Sequence, residues 1–175
     1  ADNAYHNSLA IDHSGTPYVA YKDYGNSNKA TVMKFDEENG WVPVGSPGFS
    51  AGEVAYTSLE IDGGGTPYVA YRDYSNSLKA TVMKFNGTYW ENVGSPGFSA
   101  GGAYYTSLAI YKGTPYVAYQ DGGNSGRATV MKFDGSNWVP VGSAGFSAGG
   151  YVYSTSLAID DSGTPYVAYQ DSGNS

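Results

Sequence analysis

The residues best suited to chemistry recur at one place in a repeated pattern. Each copy reads D-x-x-N-S after an apolar run, and the pairs are Asp23 and Asn26, Asp73 and Asn76, Asp121 and Asn124, and Asp171 and Asn174. Carboxylate and amide oxygens suit Ca²⁺ or a hydroxyl-rich ligand such as a sugar. The same side chains can cap their own turn. We predict a turn at each position, with a sugar or Ca²⁺ site as the alternative, although the spacing matches neither an EF-hand nor the Asp/Gly nonapeptide Ca²⁺ repeat.

Catalysis usually needs residues that break the repeat, and this chain has few. His6 and His13 occur only in the first copy and lack a partner at metal-ligand spacing, which favours surface histidines. Arg72 and Arg127 are too few for an arginine cluster that grips a carboxylate. The copy-specific carboxylates are Asp36, Glu37, Glu38, Glu53 and Glu60. We predict no catalytic residue, no metal ligand and no enzyme activity, with Ca²⁺ as the one cofactor kept open.

Composition narrows the classes of partner. The 175 residues include 16 acidic and 9 basic side chains, for a formal net charge of −7. This balance disfavours nucleic acid and anionic membrane surfaces as partners. No apolar run approaches the ~20 residues of a membrane span, and the lack of cysteine excludes disulfides and thiolate chemistry.

A repeat of about 50 residues organises the whole chain. The heptapeptide GTPYVAY occurs four times, beginning at Gly15, Gly65, Gly113 and Gly163. We therefore predict one partial domain over residues 1–175, with repeats at approximately 1–50, 51–99 and 100–148 and a truncated repeat at 149–175. Stability in such a chain depends on contacts between neighbouring repeats.

Each repeat has the alternation of strand-forming and turn-forming residues that is typical of short strands and tight turns. In the first copy, runs rich in Val, Ile, Thr and aromatic residues predict strands at about 8–12, 16–22, 30–35 and 41–44. Solenoids need roughly 20 to 30 residues per turn, and helical repeats need amphipathic helices that are absent here. We predict an all-β fold, a β-propeller of four-stranded antiparallel blades with three blades and a half blade per chain.

Aromatic residues recur at the predicted blade boundaries. A Gly-rich linker carries Phe49, Phe98 and Phe146 in successive copies, and Trp41, Trp90 and Trp138 open the fourth strand. We expect both sets to pack between blades, with a ligand-stacking ring of phenylalanines as the alternative.

The chain resembles the repeat propellers of bacterial secreted and surface proteins. Their units read approximately as SLAID, a Gly turn, a PYVAY-like strand, a K-F strand and a Trp-containing strand. IDHSGTPY at Ile11, IDGGGTPY at Ile61 and IDDSGTPY at Ile159 also resemble the Asp-box of sialidase-type propellers, with one extra residue between Asp and Gly and Tyr in place of Trp. The repeat length is similar to that of tachylectin-type propeller lectins, whose blades each hold a sugar. The resemblance implies a turn at each Asp-box segment and a secreted or cell-surface protein.

Closure of the ring sets a further expectation. A propeller needs at least four blades, so three and a half blades leave apolar faces open at both ends. We expect a homo-oligomer, or the remainder of a longer propeller, to cover them. Because the chain begins at Ala1 and stops within a repeat, we interpret it as processed, excised or engineered.

Three functions are compatible with these features. The first hypothesis is a non-catalytic scaffold or binding module that completes its ring by self-association or was taken from a longer repeat protein. The alternative is a multivalent glycan-binding propeller, in which one weak site per blade gains avidity. The third is a glycoside hydrolase, for which the sequence offers no unique acid/base pair.

Overall fold

The computed structural model describes residues 3–173, and its regular elements are almost all β-strands. The strands are β1 (Ala4–Ile11), β2 (Pro17–Asp23), β3 (Lys29–Asp36), β4 (Gly40–Pro43), β5 (Val54–Ile61), β6 (Pro67–Asp73), β7 (Lys79–Phe85), β8 (Trp90–Asn92), β9 (Ala103–Tyr111), β10 (Thr114–Asp121), β11 (Arg127–Phe133), β12 (Trp138–Pro140), β13 (Val152–Ile159) and β14 (Pro165–Asp171). Short 3₁₀ turns at Tyr24–Asn26, Tyr74–Asn76 and Gly122–Asn124 follow the second strand of the first three units.

The strands form the predicted blades. Three antiparallel sheets have the order β1-β2-β3-β4, β5-β6-β7-β8 and β9-β10-β11-β12, and β13 pairs with β14 in a fourth, two-stranded sheet. The predicted all-β propeller of three blades and a half blade is confirmed. No described segment between residues 3 and 173 is a helix with the length and apolarity needed to cross a membrane.

The first strand of each blade begins earlier than predicted. β1 starts at Ala4 rather than near residue 8, and its register with β2 shifts between Tyr5 and Ser8. His6 has a φ of 53° at this bulge, and Tyr56, Tyr105 and Ser154 repeat the conformation at the same place in later copies. A bulge interrupts the two-residue alternation by which a strand is recognised in sequence, which explains the missed residues.

The core lies between adjacent blades. β1, β5, β9 and β13 contact one another in succession, so the first strand of each blade is the innermost one. Every residue of β6 is buried, so neighbouring blades cover this strand on both faces. Each of the three apolar clusters joins residues of two neighbouring sheets.

Side-chain hydroxyls form hydrogen bonds with backbone N–H and C=O groups where the first strands of adjacent blades meet. The Leu59 N–H donates to Ser8 Oγ at 2.9 Å, and Leu108 and Leu157 repeat this bond to Ser58 and Ser107 at 3.0 Å. The hydroxyls of Thr57, Thr106 and Thr155 donate to the carbonyl oxygens of His6, Tyr56 and Tyr105. Every blade junction in the chain therefore uses the same pair of hydrogen bonds.

Phe49 and Phe98 of the linkers pack between blades, as predicted, whereas Phe146 is 42% exposed. Phe49 stacks on Trp90 of the following blade with ring centroids 4.1 Å apart, and Phe98 stacks on Trp138 at the same distance. The Trp90 indole N–H donates to Val44 O at 2.8 Å. Trp41 has no preceding blade and is 47% exposed, whereas Trp90 is 7% exposed.

Apolar faces are open at both ends of the blade array, as expected. Leu9 on the first blade is 64% exposed, although the equivalent Leu59 is only 2% exposed. Tyr166 on the half blade is 58% exposed, against 8% for the equivalent Tyr116.

Candidate functional site

Antiparallel pairing places the loops of every blade on two opposite faces. Loops such as 24–28 and linkers such as 44–53 lie at one end of the strands, which we call the linker face. Hairpins such as 12–16 and 37–39 lie at the other end, which we call the turn face. The predicted Asp and Asn residues belong to the linker face, and the Asp-box-like segments belong to the turn face.

The repeated Asp–Asn pairs hold their own loops together. Asp73 Oδ1 accepts from Ser75 N at 2.9 Å, while its Oδ2 accepts from Asn76 Nδ2 at 2.8 Å and Thr81 Oγ1 at 3.0 Å. Donors from one loop and the next strand thus occupy both oxygens of a buried carboxylate. The predicted turn role is present, and a ligand role stays a prediction.

The other copies follow the same scheme. Asp121 accepts from Gly123 N at 2.9 Å and from Asn124 Nδ2 at 2.8 Å, and Asp23 accepts from Asn26 Nδ2 at 2.8 Å. Asp171 accepts from Gly173 N at 2.9 Å, and Asn174 lies outside the described residues. Within residues 3–173 no group of three or more His, Cys, Asp or Glu side chains is placed to hold a metal ion. Ca²⁺ binding therefore also stays a prediction.

The Asp-box-like segments form the implied turns. Asp12 Oδ1 accepts from Ser14 N, Ser14 Oγ and Thr16 N at 2.9, 2.7 and 2.9 Å. These hydrogen bonds, above all the one from the Ser14 hydroxyl, lower the pKa of the Asp12 carboxyl. The third copy has Tyr111 at this position and turns through Lys112, with a φ of 48°, and Gly113.

Two grooves on the turn face are lined by the same positions of consecutive repeats. One groove, of about 550 Å³, is lined by Asp62, Thr66, Tyr68, Lys84 and Asn86, among others. The second, of about 490 Å³, is lined by Thr114, Tyr116, Lys132 and Asp134 together with Tyr68 and Lys84 of the preceding blade. We call them the turn-face grooves.

Sequence reasoning missed these grooves, although their residues have a regular spacing. Tyr68 lies directly opposite Lys84 in the β6–β7 register, and Tyr116 lies opposite Lys132 in β10–β11. A directly opposed pair shares one face of the sheet, so each Tyr is held beside a Lys. The 16-residue spacing of Tyr and Lys in each copy was the available signal.

The grooves combine donors and acceptors of several kinds. Lys84 Nζ lies 3.5 Å from Glu91 Oε1. Hydrogen bonds from the Asn137 and Ser136 amides, with Lys132 nearby, lower the pKa of Asp134 and favour its charged form. Ammonium, carboxylate, amide and hydroxyl groups therefore face spaces large enough for a sugar ring.

Glu60 is the carboxyl that most clearly breaks the repeat. It replaces the alanine found at Ala10, Ala109 and Ala158, and it lies directly opposite Tyr68 in the β5–β6 register. Among the described residues nothing donates a hydrogen bond to the half-buried Glu60, and it forms no ion pair. Burial raises the pKa of its carboxyl. A carboxyl with a raised pKa suits a general acid, and sequence reasoning noted Glu60 as copy-specific without assigning it this role.

Aromatic rings line the axis at the bulges. His6 contacts Tyr56 at 4.9 Å between centroids, and Tyr56 contacts Tyr105 at 4.9 Å. The His6 side chain is largely exposed, as predicted. Loss of water around the part of its ring that is covered, together with the nearby charges of Lys22 and Arg72, lowers its pKa. A small space of about 240 Å³ opens beside these rings.

The copy-specific Arg72 is held among tyrosines. Its guanidinium carbon lies 4.7 to 4.9 Å from the ring centroids of Tyr104, Tyr74 and Tyr56, a cation–π arrangement. It donates to the Tyr74 hydroxyl, and its buried Nε has no hydrogen-bond partner among residues 3–173.

Comparison with solved structures finds the same fold in polysaccharide-degrading enzymes. The chain is similar to an endo-1,4-β-xylanase from Bacteroides thetaiotaomicron with a TM-score of 0.63 and 14% identity, over 97% of this chain and 66% of that one. An α-L-arabinanase from Penicillium chrysogenum, solved with arabinobiose, gives 0.63 and 13% over 95% and 57%. An α-L-arabinofuranosidase from Fusarium graminearum gives 0.63 and 15% over 96% and 56%.

These matches define the fold and the extent of the similarity. The chain spans between 56% and 66% of the length of these three enzymes. No protein-family model matches the sequence, and no curated protein matches it either.

Two sequence-based predictions are corrected by this comparison. The chain was predicted to be a non-catalytic scaffold and not an enzyme, because its copies are nearly identical. Solved structures that share the fold over almost the whole chain include several glycoside-cleaving enzymes, so both predictions were wrong. Near-identity of repeats is a poor ground for excluding catalysis, since one substitution such as that at Glu60 breaks the symmetry locally.

Proposed function

We propose that this chain is a glycan-directed propeller whose turn-face grooves bind segments of a polysaccharide. The observation that carries the proposal is the recurrence of one polar lining, Thr, Tyr, Lys and Asp or Asn, in two consecutive blades. Such a set can donate to and accept from several hydroxyls of one sugar. The shared fold with xylan- and arabinan-directed enzymes supports pentose-containing polymers as the first ligands to try.

The presence of two similar grooves favours polysaccharides over short sugars as ligands. A single open groove buries little of an oligosaccharide and binds weakly, but a polymer that reaches two grooves gains effective concentration at the second. The ratio of the affinity for a long polysaccharide to the affinity for a disaccharide should therefore be larger than the number of grooves. Because intact polysaccharides of this kind do not enter cells, the protein would act in secreted or surface-attached form.

Titration with sugars of increasing length tests the proposal. Isothermal titration with xylan, arabinan, xylo-oligosaccharides and arabinobiose should show binding that strengthens with length. Replacing both groove lysines (Lys84→Ala with Lys132→Ala) should weaken polymer binding at least ~10-fold, since two charged hydrogen bonds are lost.

The matched control is Lys79→Ala, which removes a lysine from the linker face. It should leave sugar affinity unchanged. Absence of binding by the unmodified protein to every sugar in the panel, or an equal loss in the control, would refute the groove assignment.

Glycoside hydrolysis is the second candidate function, and Glu60 is the observation that favours it. Glycosidases use a carboxylic acid with a raised pKa to protonate the leaving oxygen. Glu60 has such a pKa and shares a sheet face with Tyr68, which lines both grooves.

Release of reducing ends from xylan and arabinan measures this activity. Glu60→Gln keeps the shape of the side chain but cannot donate the proton, and it should lower the rate at least ~100-fold. Glu37→Gln, on an exposed turn, should match the unmodified protein. An active enzyme that tolerates Glu60→Gln would exclude Glu60 as the acid.

A further inference from the structure

Arg72 carries a buried charge that no carboxylate of the described chain neutralises. The residue is 9% exposed, and no Asp or Glu within residues 3–173 forms an ion pair with it. Its Nε is buried and has no hydrogen-bond partner among the same residues. Arginine is almost never fully buried unless it is paired, because an unpaired buried charge is costly. The guanidinium is therefore left with an uncompensated charge.

The same position in two other copies has a polar partner within the chain. Lys22 Nζ donates to Glu53 Oε1 at 2.5 Å, and Gln120 Nε2 donates to Val152 O at 2.6 Å. In both cases the acceptor lies at or just before the first strand of the following blade. Arg72 faces the equivalent place in blade three without such an acceptor.

A glycine explains why Arg72 differs from Lys22. Glu53 ends the first linker and Gly102 ends the second, and their backbones are equivalent. Glu53 O accepts from Tyr74 N at 3.1 Å, and Gly102 O accepts from Gly122 N at 2.8 Å. Because Gly102 has no side chain, the carboxylate that neutralises Lys22 has no counterpart beside Arg72.

Three tyrosine rings hold the guanidinium but leave its donors in need of acceptors. The guanidinium carbon lies 4.7 to 4.9 Å from the ring centroids of Tyr104, Tyr74 and Tyr56. Ring faces attract the positive charge, but they do not accept the five N–H groups as oxygen atoms would. The acceptor that Arg72 does have is the Tyr74 hydroxyl, which takes a hydrogen bond from Nη2.

The unpartnered Nε and Nη2 belong to the same edge of the guanidinium. Such an edge binds both oxygens of a carboxylate through two parallel hydrogen bonds. Tyr74 satisfies one donor of this edge, is 40% exposed, and belongs to a 3₁₀ turn without buried residues. Rotation of the Tyr74 side chain toward solvent opens the edge from the linker face. A carboxylate then satisfies two donors where the phenol satisfies one.

We propose that Arg72 binds the carboxylate of an acidic sugar, a uronic acid, at the linker face. This site is separate from the turn-face grooves, which lie at the other end of the strands. The net charge of −7 gives the protein no general attraction for anions, so binding must come from the local geometry. The exposed Tyr74 offers the sugar a ring face and a hydroxyl. The choice of a sugar as carrier of the carboxylate rests on the proposed function, whereas the uncompensated charge of Arg72 does not.

NMR spectroscopy of the arginine side chains tests the inference directly, because the chain has two arginines, Arg72 and Arg127. Arg72→Gln should remove one of the two Nε–H signals and so identify it. Sodium glucuronate at constant ionic strength should shift the Arg72 signal, with a Kd of ~1–10 mM for so small a ligand. Glucose, the neutral match, should leave the signal in place.

Isothermal titration of variants measures the contribution of Arg72. Arg72→Gln introduces the residue that Gln120 supplies at this position in the third copy, so the variant should fold. It should weaken glucuronate binding at least ~10-fold, because two charged hydrogen bonds are lost. Arg127→Gln is the matched control, since Arg127 is an exposed arginine at the linker face. It should leave the affinity unchanged.

Two further variants separate ligand binding from a structural role. Tyr74→Phe removes the hydroxyl that competes for Nη2, and it should raise the affinity for glucuronate ~2–5-fold. Gly102→Glu supplies the carboxylate that Lys22 has in Glu53, and it should weaken glucuronate binding at least ~10-fold. The added Cβ would lie 3.3 Å from Tyr104 Cε2, a contact that a small shift of the ring relieves.

Several results would overturn the inference. An unmoved Arg72 Nε–H signal in glucuronate, an equal loss of affinity in Arg127→Gln, or an unchanged affinity in Gly102→Glu would each exclude the site. Equal affinities for glucuronate, acetate and inorganic sulfate would overturn the assignment to an acidic sugar. If xylan and arabinan bind but glucuronate does not, this inference fails and the proposed function stands. If glucuronate alone binds, the groove assignment fails and the Arg72 site stands.

Discussion

Asp73 is buried and Glu60 is half-buried, and their surroundings differ. Three donors satisfy Asp73, whereas Glu60 has none among the described residues. A satisfied buried carboxylate holds structure, and an unsatisfied one costs stability when it ionises. This contrast separates a turn residue from a candidate acid more sharply than residue type alone.

Stability should depend on the ionisation of Glu60. Burial raises its native pKa, so the unfolded chain releases this proton at a lower pH than the native protein does. The native state is therefore penalised as pH rises from the unfolded value through the native one. Glu60→Gln should raise the Tm at neutral pH and lose this advantage on acidification toward about pH 4, as thermal scans across pH would show. An equal effect at both pH values would contradict the ionisation account.

Asp73 should be much less replaceable than Asp62. Asp73→Asn puts an amide donor where an oxygen must accept, and it should cost ~1–3 kcal/mol of unfolding free energy. Asp62→Asn should change it by less than ~0.5 kcal/mol, because Asp62 uses mainly Oδ1 in an exposed turn. Urea denaturation measures both, and equal losses would refute a structural role specific to Asp73.

At the scale of elements, a Phe–Trp stack connects blade two and blade three to the linker before each of them. The β-hairpin turns, by contrast, are held by contacts within their own loop. Asn86 and Asp134 occupy the same position in two copies, and the side chain of each accepts hydrogen bonds from two backbone N–H groups of its loop, so an amide or a carboxylate can serve there. The stack has no such local substitute, because it joins residues about 40 positions apart in sequence.

Trp90 and Trp41 form a matched pair for testing this connection. Trp90→Phe loses the indole bond to Val44 and part of the stack on Phe49, and it should cost ~1–2 kcal/mol. Trp41→Phe should cost less than ~0.5 kcal/mol, because no preceding blade covers that ring. Denaturant unfolding followed by fluorescence compares the two, and similar losses would mean that the stack contributes little.

At the scale of the whole molecule, stability is distributed over blade junctions. Leu59→Ala removes a side chain from a closed junction and should cost ~2–5 kcal/mol. Leu9→Ala changes the same residue type on an open face, and in dilute monomer it should cost less than ~0.5 kcal/mol.

Concentration separates the effect of the open face from that of the core. The homo-oligomer expected from the sequence predicts that the Tm of the unmodified chain rises with protein concentration, and that Leu9→Ala flattens that rise. Leu59→Ala should shift the whole curve downward instead. A concentration-independent Tm for the unmodified chain would argue against the homo-oligomer.

The repeat predicted the blades because its information is local. GTPYVAY specifies a turn followed by a strand, and the Asp–Asn pairs specify a capped loop, through contacts within a few residues. The grooves were not predictable in the same way, since Tyr68 and Lys132 line one groove only after two blades have packed. Nor was the burial of Glu60, which depends on the blade that covers its strand.

The sequence by itself determined the repeated unit, its strands and its turns, whereas the tertiary structure decided which copies of each residue are covered. Leu9 lies in SLAID and Leu59 in SLEID, nearly the same local context. They are nonetheless 64% and 2% exposed. The physical reason is that strand and turn formation depend on neighbours along the chain, while burial depends on whether another blade lies against the sheet.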